Sequence, residues 1–174
     1  KIIKRSFDVL VSTIVILFFL SWMVPLIGII IKLQSRGPIL FTQSRHGIGG
    51  STFRCYKFRS MAQTNEANTK QATKNDTRIT KIGKFLRKTS LDEFPQFFNV
   101  FIGDMSIVGP RPHMLLHTEE YSSLINKYMV RQLVRPGITG AAQIRGFRGE
   151  TKEIEQMEGR VRLDVWYIEN WSLA

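Results

Sequence analysis

An uncharged apolar run at residues 9–31 constrains the fold of this chain more than any other feature. As a single α-helix this run is about 35 Å long, which is enough to cross the hydrocarbon core of a bilayer. It is too long for the apolar part of a removable signal peptide, and no small-residue cleavage site follows it. The sequence therefore predicts a membrane helix that stays in the mature protein.

Basic residues stand on both sides of this run: Lys1, Lys4 and Arg5 before it, Lys32, Arg36 and Arg45 after it. Because positively charged flanks stay on the cytoplasmic side, one straight crossing cannot satisfy both ends. A re-entrant helix can, and Pro25 would bend it while Ser21 bonds a freed carbonyl. A Pro-kinked transmembrane helix is the alternative, and the apolar pattern alone modestly favours it.

Composition limits the class of protein and of partner. The chain has 174 residues, 43% of them hydrophobic, which is enough for one core. Lys and Arg number 25 against 14 Asp and Glu, a net charge of +11, so an anionic partner is expected: nucleic acid, a phosphorylated substrate or acidic lipid. The single Cys55 excludes an intrachain disulfide and fits a reducing cytoplasmic setting. The prediction for Cys55 is a buried or semi-buried side chain.

The rest of the chain predicts an α+β fold that is mostly helical. Residues 39–43 and 52–58 are expected to form a small β-hairpin around a glycine-rich turn, and residues 62–76 a loop. Apolar spacing predicts helices at residues 79–88, 94–102, 113–133 and 151–171. Residues 135–140 are expected to form a Pro-Gly turn whose backbone approaches a ligand.

Two predicted helices carry large apolar side chains whose surroundings the pattern leaves open. Phe94, Phe97, Phe98, Phe101 and Ile102 form one stripe that suits either a protein core or an in-plane interfacial helix. Trp166, Tyr167 and Trp171 suit a membrane interface or aromatic core packing.

A pair of acidic residues in Ser90-Leu91-Asp92-Glu93 carries the strongest chemical signal. The simplest interpretation is a capping box, in which Ser90 and Glu93 satisfy the first amides of a helix. The functional interpretation is compatible with it, because an ionised Asp is a nucleophile and an adjacent Glu can hold a divalent cation. His113 and His117 have the i, i+4 spacing of a zinc motif, but Met114 stands where that motif needs Glu. Both are expected to be helix-surface or substrate-facing residues.

Several motifs in one order identify the chain as similar to the bacterial sugar transferase family, the monotopic phosphoglycosyl transferases. They are Lys4-Arg5-Ser6-Phe7-Asp8, Gly37-Pro38-Ile39-Leu40-Phe41-Thr42-Gln43, Tyr56-Lys57-Phe58-Arg59-Ser60-Met61, Ser90-Leu91-Asp92-Glu93 and Gly109-Pro110-Arg111-Pro112. The resemblance implies transfer of a sugar 1-phosphate from a UDP-sugar to undecaprenyl phosphate, with release of UMP. It also implies a re-entrant helix at residues 1–36 and a catalytic region at residues 37–174, together one domain with interfacial helices around a cytoplasmic active site.

The resemblance also assigns roles to individual residues. Asp92 would attack the β-phosphoryl group to form a phosphosugar-aspartyl intermediate, and Glu93, with Asp92, would hold Mg²⁺. The residues that would bind substrate are Lys57, Arg87, Arg111 and Arg135. The protein would work at the cytoplasmic face of the bacterial inner membrane, among membrane lipids, in exopolysaccharide or capsule assembly, and a homo-oligomer is compatible with this role.

The sugar is indicated only by the segment Gln143-Ile144-Arg145-Gly146-Phe147-Arg148-Gly149-Glu150-Thr151, which is similar to members that transfer glucose or galactose 1-phosphate. In many relatives a proline directly follows the serine of the membrane bend, whereas here Ser21 is followed by Trp22 and the proline is Pro25.

Two other functions compete with this interpretation. One is a non-catalytic basic module attached to the membrane, since Lys and Arg near an anionic leaflet contribute about 1 kcal/mol each. The other is a metal-dependent UDP-sugar hydrolase that uses the same Asp92 and Glu93 with water as the acceptor. Nucleic acid is not expected as a partner, because no binding motif is present and the aromatic residues fall in apolar stripes.

Overall fold

A computed structural model describes residues 2–62, 76–147, 149 and 154–172. They fall into two compact units. Unit 1 is formed by Lys1–Gln43 with Cys55–Ile102, and unit 2 by Ser44–Arg54 with Gly103–Ala174. The fold is mixed α and β and mostly helical, as the sequence predicts. The division into a membrane helix and a catalytic region stays a prediction, and most of the predicted loop at residues 62–76 lies outside the described residues.

Unit 1 begins with one long apolar helix in three parts: α1 (Ile2–Val15), a π-helical segment (Ile16–Leu20) and α2 (Ser21–Gln34). Among the described residues it is the one stretch long and apolar enough to cross a membrane. Only 28% of its most apolar window is buried, which is unlike the core helix of a soluble protein. Its outward side chains are large and apolar: Phe7, Leu10, Ile14, Leu17, Phe18, Trp22, Leu26, Ile29 and Leu33.

The hydroxyl group predicted to support a bend does make a backbone hydrogen bond. Ser21 Oγ donates to Leu17 O at 2.7 Å, within the π-helical segment. The carbonyl that Pro25 leaves without its usual donor is the one of Ser21 itself, four residues earlier. The bond therefore supports the widened turn before Pro25 and does not replace the bond that Pro25 removes.

The core of unit 1 joins this helix to a hairpin and two short helices. Strands β1 (Leu40–His46) and β2 (Thr52–Phe58) form the predicted antiparallel hairpin, and Cys55 is buried as expected. Helices α3 (Lys81–Thr89) and α4 (Gln96–Ile102) follow. The buried cluster contains Leu20, Met23, Ile27, Ile31, Phe58 and Leu86.

Part of the phenylalanine stripe of α4 packs in the protein core, and the rest of it is exposed. Phe94, Phe97 and Phe98 pack against the buried cluster, whereas Phe101 and Ile102 are exposed. Arg5 of α1 donates to the last carbonyls of α4, Val100 O at 2.6 Å and Phe101 O at 2.8 Å. This cap attaches the first turn of the apolar helix to α4, since a cation suits the negative end of a helix.

Unit 2 contains a second pair of strands that the sequence did not predict. Strand β3 (Ser106–Val108) pairs in parallel with β4 (Gly137–Thr139). The predicted Pro-Gly turn is therefore wrong, because Gly137 begins a strand. A Cβ atom on Gly137 would lie 2.1 Å from Gly109 N, so glycine is required there for backbone contact within the unit. The close approach joins two protein strands, and no ligand is needed to explain it.

The predicted helix at residues 113–133 is also wrong as one element. Helix α5 (Leu115–Leu124) ends before Lys127, whose φ of 61° breaks the helix, and a 3-10 helix (Tyr128–Leu133) follows. After a short α6 (Ala141–Ile144), α7 (Ile154–Asn170) buries Met157, Val161 and Val165. Trp166 and Trp171 are exposed, so aromatic core packing does not hold for them.

Candidate active site

The acidic pair lies on a 3-10 turn between α3 and α4. Ser90 adopts a left-handed conformation with φ 62° and ends α3 through its amide, which donates to Arg87 O. The turn Leu91–Glu93 then begins, and Ser90 makes no side-chain capping bond to it. The predicted capping box is therefore wrong, because a residue in the left-handed region cannot place its side chain as an N-cap does.

Glu93 uses its side chain for an ion pair. Lys57 Nζ in β2 lies 2.7 Å from Glu93 Oε1, and the two side chains are 21% and 11% exposed. At this degree of burial the pair is shielded from water, so loss of either partner leaves a poorly solvated charge. The structure thus brings together two of the residues that the sequence associates with the site.

Asp92 is half-buried on the same turn, one residue before Glu93. Arg87, in the last turn of α3, is half-buried and its Nη1 lies 3.4 Å from Met61 Sδ.

Contacts of β2 and the residues after it with α3 and α4 fix the position of the turn that carries Glu93. Asn99 in α4 is fully buried and accepts a hydrogen bond at its Oδ1 from the amide of Tyr56, next to Lys57 in β2, at 3.0 Å. Gly83 in α3 packs so closely on residue 60 that an added Cβ would lie 1.8 Å from Ser60 O. Strand β2 and the two helices on either side of Asp92 are therefore held together tightly.

The carboxylates of Asp92 and Glu93 fit a magnesium ion held jointly with substrate. Carboxylate oxygens are the ligands that Mg²⁺ prefers, and this ion is usually bound by one or two carboxylates together with substrate phosphates. The described residues contain no cluster of three or more metal-ligating side chains. Mg²⁺ stays a prediction.

The other two candidate residues, Arg111 and Arg135, belong to unit 2. Arg111 is half-buried in the Pro110-Arg111-Pro112 turn, where its side chain lines a small cleft with His113, Tyr128 and Arg131. Arg135 is exposed, and its Nε donates to Gly103 O at 2.8 Å. A substrate-binding role for Arg111 and Arg135 stays a prediction.

A buried polar network beside Arg111 was missed by sequence reasoning. Arg131 Nε donates to Asp164 Oδ2 at 2.7 Å, and the two side chains are 6% and 2% exposed. Arg131 also lies 2.9 Å from His113 Nδ1, which is 2.7 Å from Tyr128 Oη. His113 is therefore buried in this network, and its predicted place on a helix surface is wrong.

Burial shifts the pKa values of several members of this network. It raises the pKa of the Asp164 carboxyl, against the attraction of Arg131. It also raises the pKa of the Tyr128 hydroxyl. Burial, and then the charges of Arg131 and Arg111, lower the pKa of Arg160 to about 10. Arg160 Nε has no hydrogen-bond partner among the described residues, so its charge is poorly compensated.

Arg59 is a third buried arginine, after Arg131 and Arg160, and sequence reasoning did not predict its structural role. It lies in unit 1 just after β2, and its guanidinium donates to the carbonyls of Ser35 and Arg36 at the end of α2. Burial lowers the pKa of Arg59. The sequence shows a basic residue two positions after Lys57, but it does not show that the partners of this residue are the carbonyls of Ser35 and Arg36.

Comparison with known proteins decides the family. The model of the bacterial sugar transferase family matches residues 1–174, the whole chain. The chain belongs to the bacterial sugar transferase family. The prediction from the sequence motifs is confirmed.

Relatives of this bacterial sugar transferase differ in the sugar that their names specify. This chain is 52% identical over 173 residues to the UDP-glucose:undecaprenyl-phosphate glucose-1-phosphate transferase of Klebsiella pneumoniae. The match covers 99% of this chain and 37% of that protein. This chain is 43% identical over 172 residues to the UDP-N-acetylgalactosamine-undecaprenyl-phosphate N-acetylgalactosaminephosphotransferase of Aeromonas hydrophila. The match covers 98% of this chain and 40% of that protein.

A third relative is closer to this chain in length. The exopolysaccharide production protein PSS of Rhizobium leguminosarum bv. phaseoli is 40% identical over 178 residues, covering 99% of this chain and 88% of that protein. The chain thus spans 37% of the length of the Klebsiella protein and most of the length of the Rhizobium protein.

Proposed function

We propose that this bacterial sugar transferase moves glucose 1-phosphate from UDP-glucose to undecaprenyl phosphate and releases UMP, as a first membrane step of exopolysaccharide assembly. The observation that carries the proposal is the half-buried Asp92 beside the Lys57–Glu93 ion pair, on a turn that the rest of unit 1 fixes. The names of its relatives describe the same reaction class.

The first step is attack of an Asp92 carboxylate oxygen on the β-phosphorus of the donor. The bond from that phosphorus to the oxygen bridging it to the α-phosphate breaks, UMP leaves, and a phosphosugar-aspartyl intermediate forms. Aspartate side chains are ordinarily ionised at neutral pH, so this step needs no general base.

In the second step an oxygen of undecaprenyl phosphate attacks the same phosphorus. The bond from Asp92 to phosphorus breaks, which regenerates the carboxylate and gives undecaprenyl diphosphate glucose. Each step brings two anions together, and a bound Mg²⁺ would supply charge neutralisation for both. Asp92 and Glu93 would hold that ion, and Arg87, Arg111 and Arg135 would bind anionic oxygens of the substrates.

The positive charge of Lys57 offsets the negative charge of Glu93 next to Asp92. Without Lys57, the buried Glu93 carboxylate would add a second negative charge one residue from the nucleophile. Two like charges so close oppose the approach of a diphosphate. Lys57 therefore contributes to turnover through Glu93, in addition to any contact with phosphate oxygens.

We further propose that the apolar helix is re-entrant and that the protein acts at the cytoplasmic face of the inner membrane. Support comes from contacts at both ends of the helix within unit 1. Arg5, near its start, binds the carbonyl end of α4, and Arg59 binds the carbonyls at the end of α2. A straight transmembrane helix would place its two ends on opposite sides of the bilayer, whereas one compact unit contacts both.

The reaction is tested by UMP release from UDP-glucose with and without undecaprenyl phosphate, using the purified full-length protein. We expect UMP in amounts that match the glucosylated lipid product. A donor labelled in the β-phosphate should leave acid-precipitable label on the protein when the lipid is omitted. Continuous UMP release without lipid would instead establish the hydrolase, and no UMP from any UDP-sugar would establish the non-catalytic module.

The topology is tested by cysteine labelling in a Cys55→Ser background. Ile2→Cys and Lys88→Cys place thiols at exposed positions near the start of α1 and the end of α3. We expect an impermeant reagent to label both from the cytoplasmic side of inverted vesicles and neither from intact spheroplasts. Labelling of the two thiols from opposite sides would show a spanning helix.

A further inference from the structure

We propose that Arg131 is a positioning residue that holds the backbone of Arg111 in the geometry needed to bind donor phosphate. This inference rests on the proposed function, in which Arg111 binds anionic oxygens of the substrate. It concerns residues of unit 2 alone, and it gives a role to the buried polar network that the phosphoryl-transfer steps do not use.

The turn that carries Arg111 has three successive carbonyl groups bonded within unit 2. Gly137 N donates to Pro110 O at 2.8 Å, Arg131 Nη2 to Arg111 O at 2.7 Å, and Arg45 Nη1 to Pro112 O at 3.3 Å. Prolines on both sides of Arg111 restrict its φ and ψ angles further. The backbone of this turn is therefore fixed, which reduces the number of directions in which the Arg111 side chain can point.

Arg131 makes the shortest of these three bonds, and its own position is determined by other contacts. Its Nε donates to Asp164 in α7, and its Nη1 lies 2.9 Å from His113 Nδ1. Its guanidinium lies over the Tyr128 ring at 5.3 Å from the ring centroid. The planar guanidinium thus connects α7 to the Arg111 turn with a defined geometry, which a lysine cannot reproduce.

A buried ion pair of this kind is poorly explained by stability alone. Removing two charges from water is costly, and well-packed apolar residues often stabilise a protein as well or better. Burial raises the pKa of Asp164 although Arg131 is in direct contact, which shows that the cost of burial is not fully offset. Specifying the position of Arg111 gives this costly arrangement a function.

The test is a double-mutant cycle on the purified full-length protein, measured as KM for UDP-glucose and kcat for UMP release. We expect Arg131→Lys to raise KM by about tenfold with a smaller change in kcat. In an Arg111→Ala background the same change should leave KM almost unaltered, because there is then no side chain to position. Asp164→Asn, which keeps an oxygen acceptor, should act in the same direction and less strongly, and so should Arg45→Lys.

Met157→Ala is the matched control for a loss of stability without a loss of positioning. Met157 is fully buried in the apolar cluster of α7 and contributes no hydrogen bond to the Arg111 turn. We expect it to lower the melting temperature and leave KM unchanged. The inference is overturned if Met157→Ala raises KM as much as Arg131→Lys, or if Arg131→Lys has equal effects in the two Arg111 backgrounds.

Amide exchange separates this inference from the proposed reaction. Hydrogen exchange at the amides of Arg111 and His113 should be faster in the Arg131→Lys variant than in the Met157→Ala variant, provided that the two variants have the same melting temperature. Equal exchange rates would refute the positioning role whatever the enzyme does. If exchange responds as expected but wild-type protein releases no UMP from UDP-sugars, the proposed function fails while the contact between Arg131 and the Arg111 turn is upheld.

Discussion

The ion pairs Lys57–Glu93 in unit 1 and Arg131–Asp164 in unit 2 differ in how their charges are distributed. Lys57–Glu93 in unit 1 keeps some exposure, and a second carboxylate, Asp92, stands half-buried beside it. Arg131–Asp164 in unit 2 is almost fully enclosed and belongs to a network of His113, Tyr128 and Arg160. The first arrangement suits reaction with an incoming anion, whereas the second is saturated by contacts within the protein. Substitutions in the two pairs should therefore affect different quantities.

The largest expected effect is on turnover in unit 1. Asp92→Asn keeps the shape of the side chain and removes the nucleophilic charge, so UMP release should fall by about a thousandfold or more. The melting temperature should change little, since Asp92 is only half-buried. Glu158→Gln, on the exposed side of α7, is the matched control and should keep full activity. Substantial lipid-dependent turnover by Asp92→Asn would rule out the covalent mechanism.

The next largest effect is on stability in unit 2, where two buried arginines can be compared. Arg131→Met leaves Asp164 buried without its partner and should lower the free energy of unfolding by about 3 to 5 kcal/mol. Arg160→Met removes a guanidinium whose Nε is unbonded and whose contacts are long, and should cost less than about 1 kcal/mol. Denaturant unfolding in detergent measures both. Equal losses would contradict the contrast drawn between the two side chains.

Arg160 also predicts a pH dependence of stability. Its pKa is about 10 in the folded protein, below its ordinary value, because burial disfavours the charged form. Because the pKa of Arg160 is lower in the folded than in the unfolded protein, its contribution to the free energy of unfolding is most favourable above the unfolded pKa. That contribution is lost as pH falls through about 10. Relative to wild type, Arg160→Met should therefore show a smaller gain in unfolding free energy from pH 10 upwards. Parallel curves would refute the shift.

Lys57 provides a test that separates stability from activity in unit 1. Lys57→Met should lower turnover by about a hundredfold and the free energy of unfolding by about 2 kcal/mol, because Glu93 is left as an uncompensated charge. The double variant Lys57→Met/Glu93→Leu should recover most of the stability and none of the activity. Recovery of activity in the double variant would show that the pair serves only the fold.

The smallest expected effect is at Arg111. Arg111→Lys keeps the positive charge and loses the planar fork, so UMP release should fall by about tenfold with little change in melting temperature. Arg162→Lys, on the exposed side of α7, is the matched control. Unchanged activity in Arg111→Lys would remove this residue from the phosphate-binding set.

The sequence predicted the elements whose signal is local. The apolar helix, the hairpin around Gly49 and Gly50, and the basic helix α3 are all present near their predicted bounds. Apolar periodicity and glycines with positive φ determine such elements within a few residues. The family motifs also name Lys57 and Glu93 as site residues, and these two side chains form an ion pair, although their roles stay a prediction.

Most of the failures involve contacts between residues far apart in the chain, and the local exception is Ser90. The β3–β4 pair has strands of three residues each, too short for an alternation pattern, and is held by glycine backbones that meet only in the folded state. The left-handed Ser90 replaced a capping box because α3 ends where the 3-10 turn begins. The burial of His113 and Arg131 depends on Asp164, which follows more than 30 residues later.

The π-helical segment at Ile16–Leu20 has a consequence for the permitted length of the apolar helix. A π turn accommodates one residue more than an α turn, and each residue of an α-helix rotates the chain by about 100°. Deleting one residue within this segment would therefore restore a continuous α-helix and leave the rotation of α1 relative to α2 almost unchanged, whereas deleting one residue between Ser12 and this segment would rotate the two helices by about 100°. Arg5 would then turn away from the carbonyls of α4, and the buried Asp8 and Ser12 would turn toward the outer apolar face. The number of residues in α1 is thus under a phase constraint, and a single-residue deletion should be tolerated within Ile16–Leu20 far better than within α1.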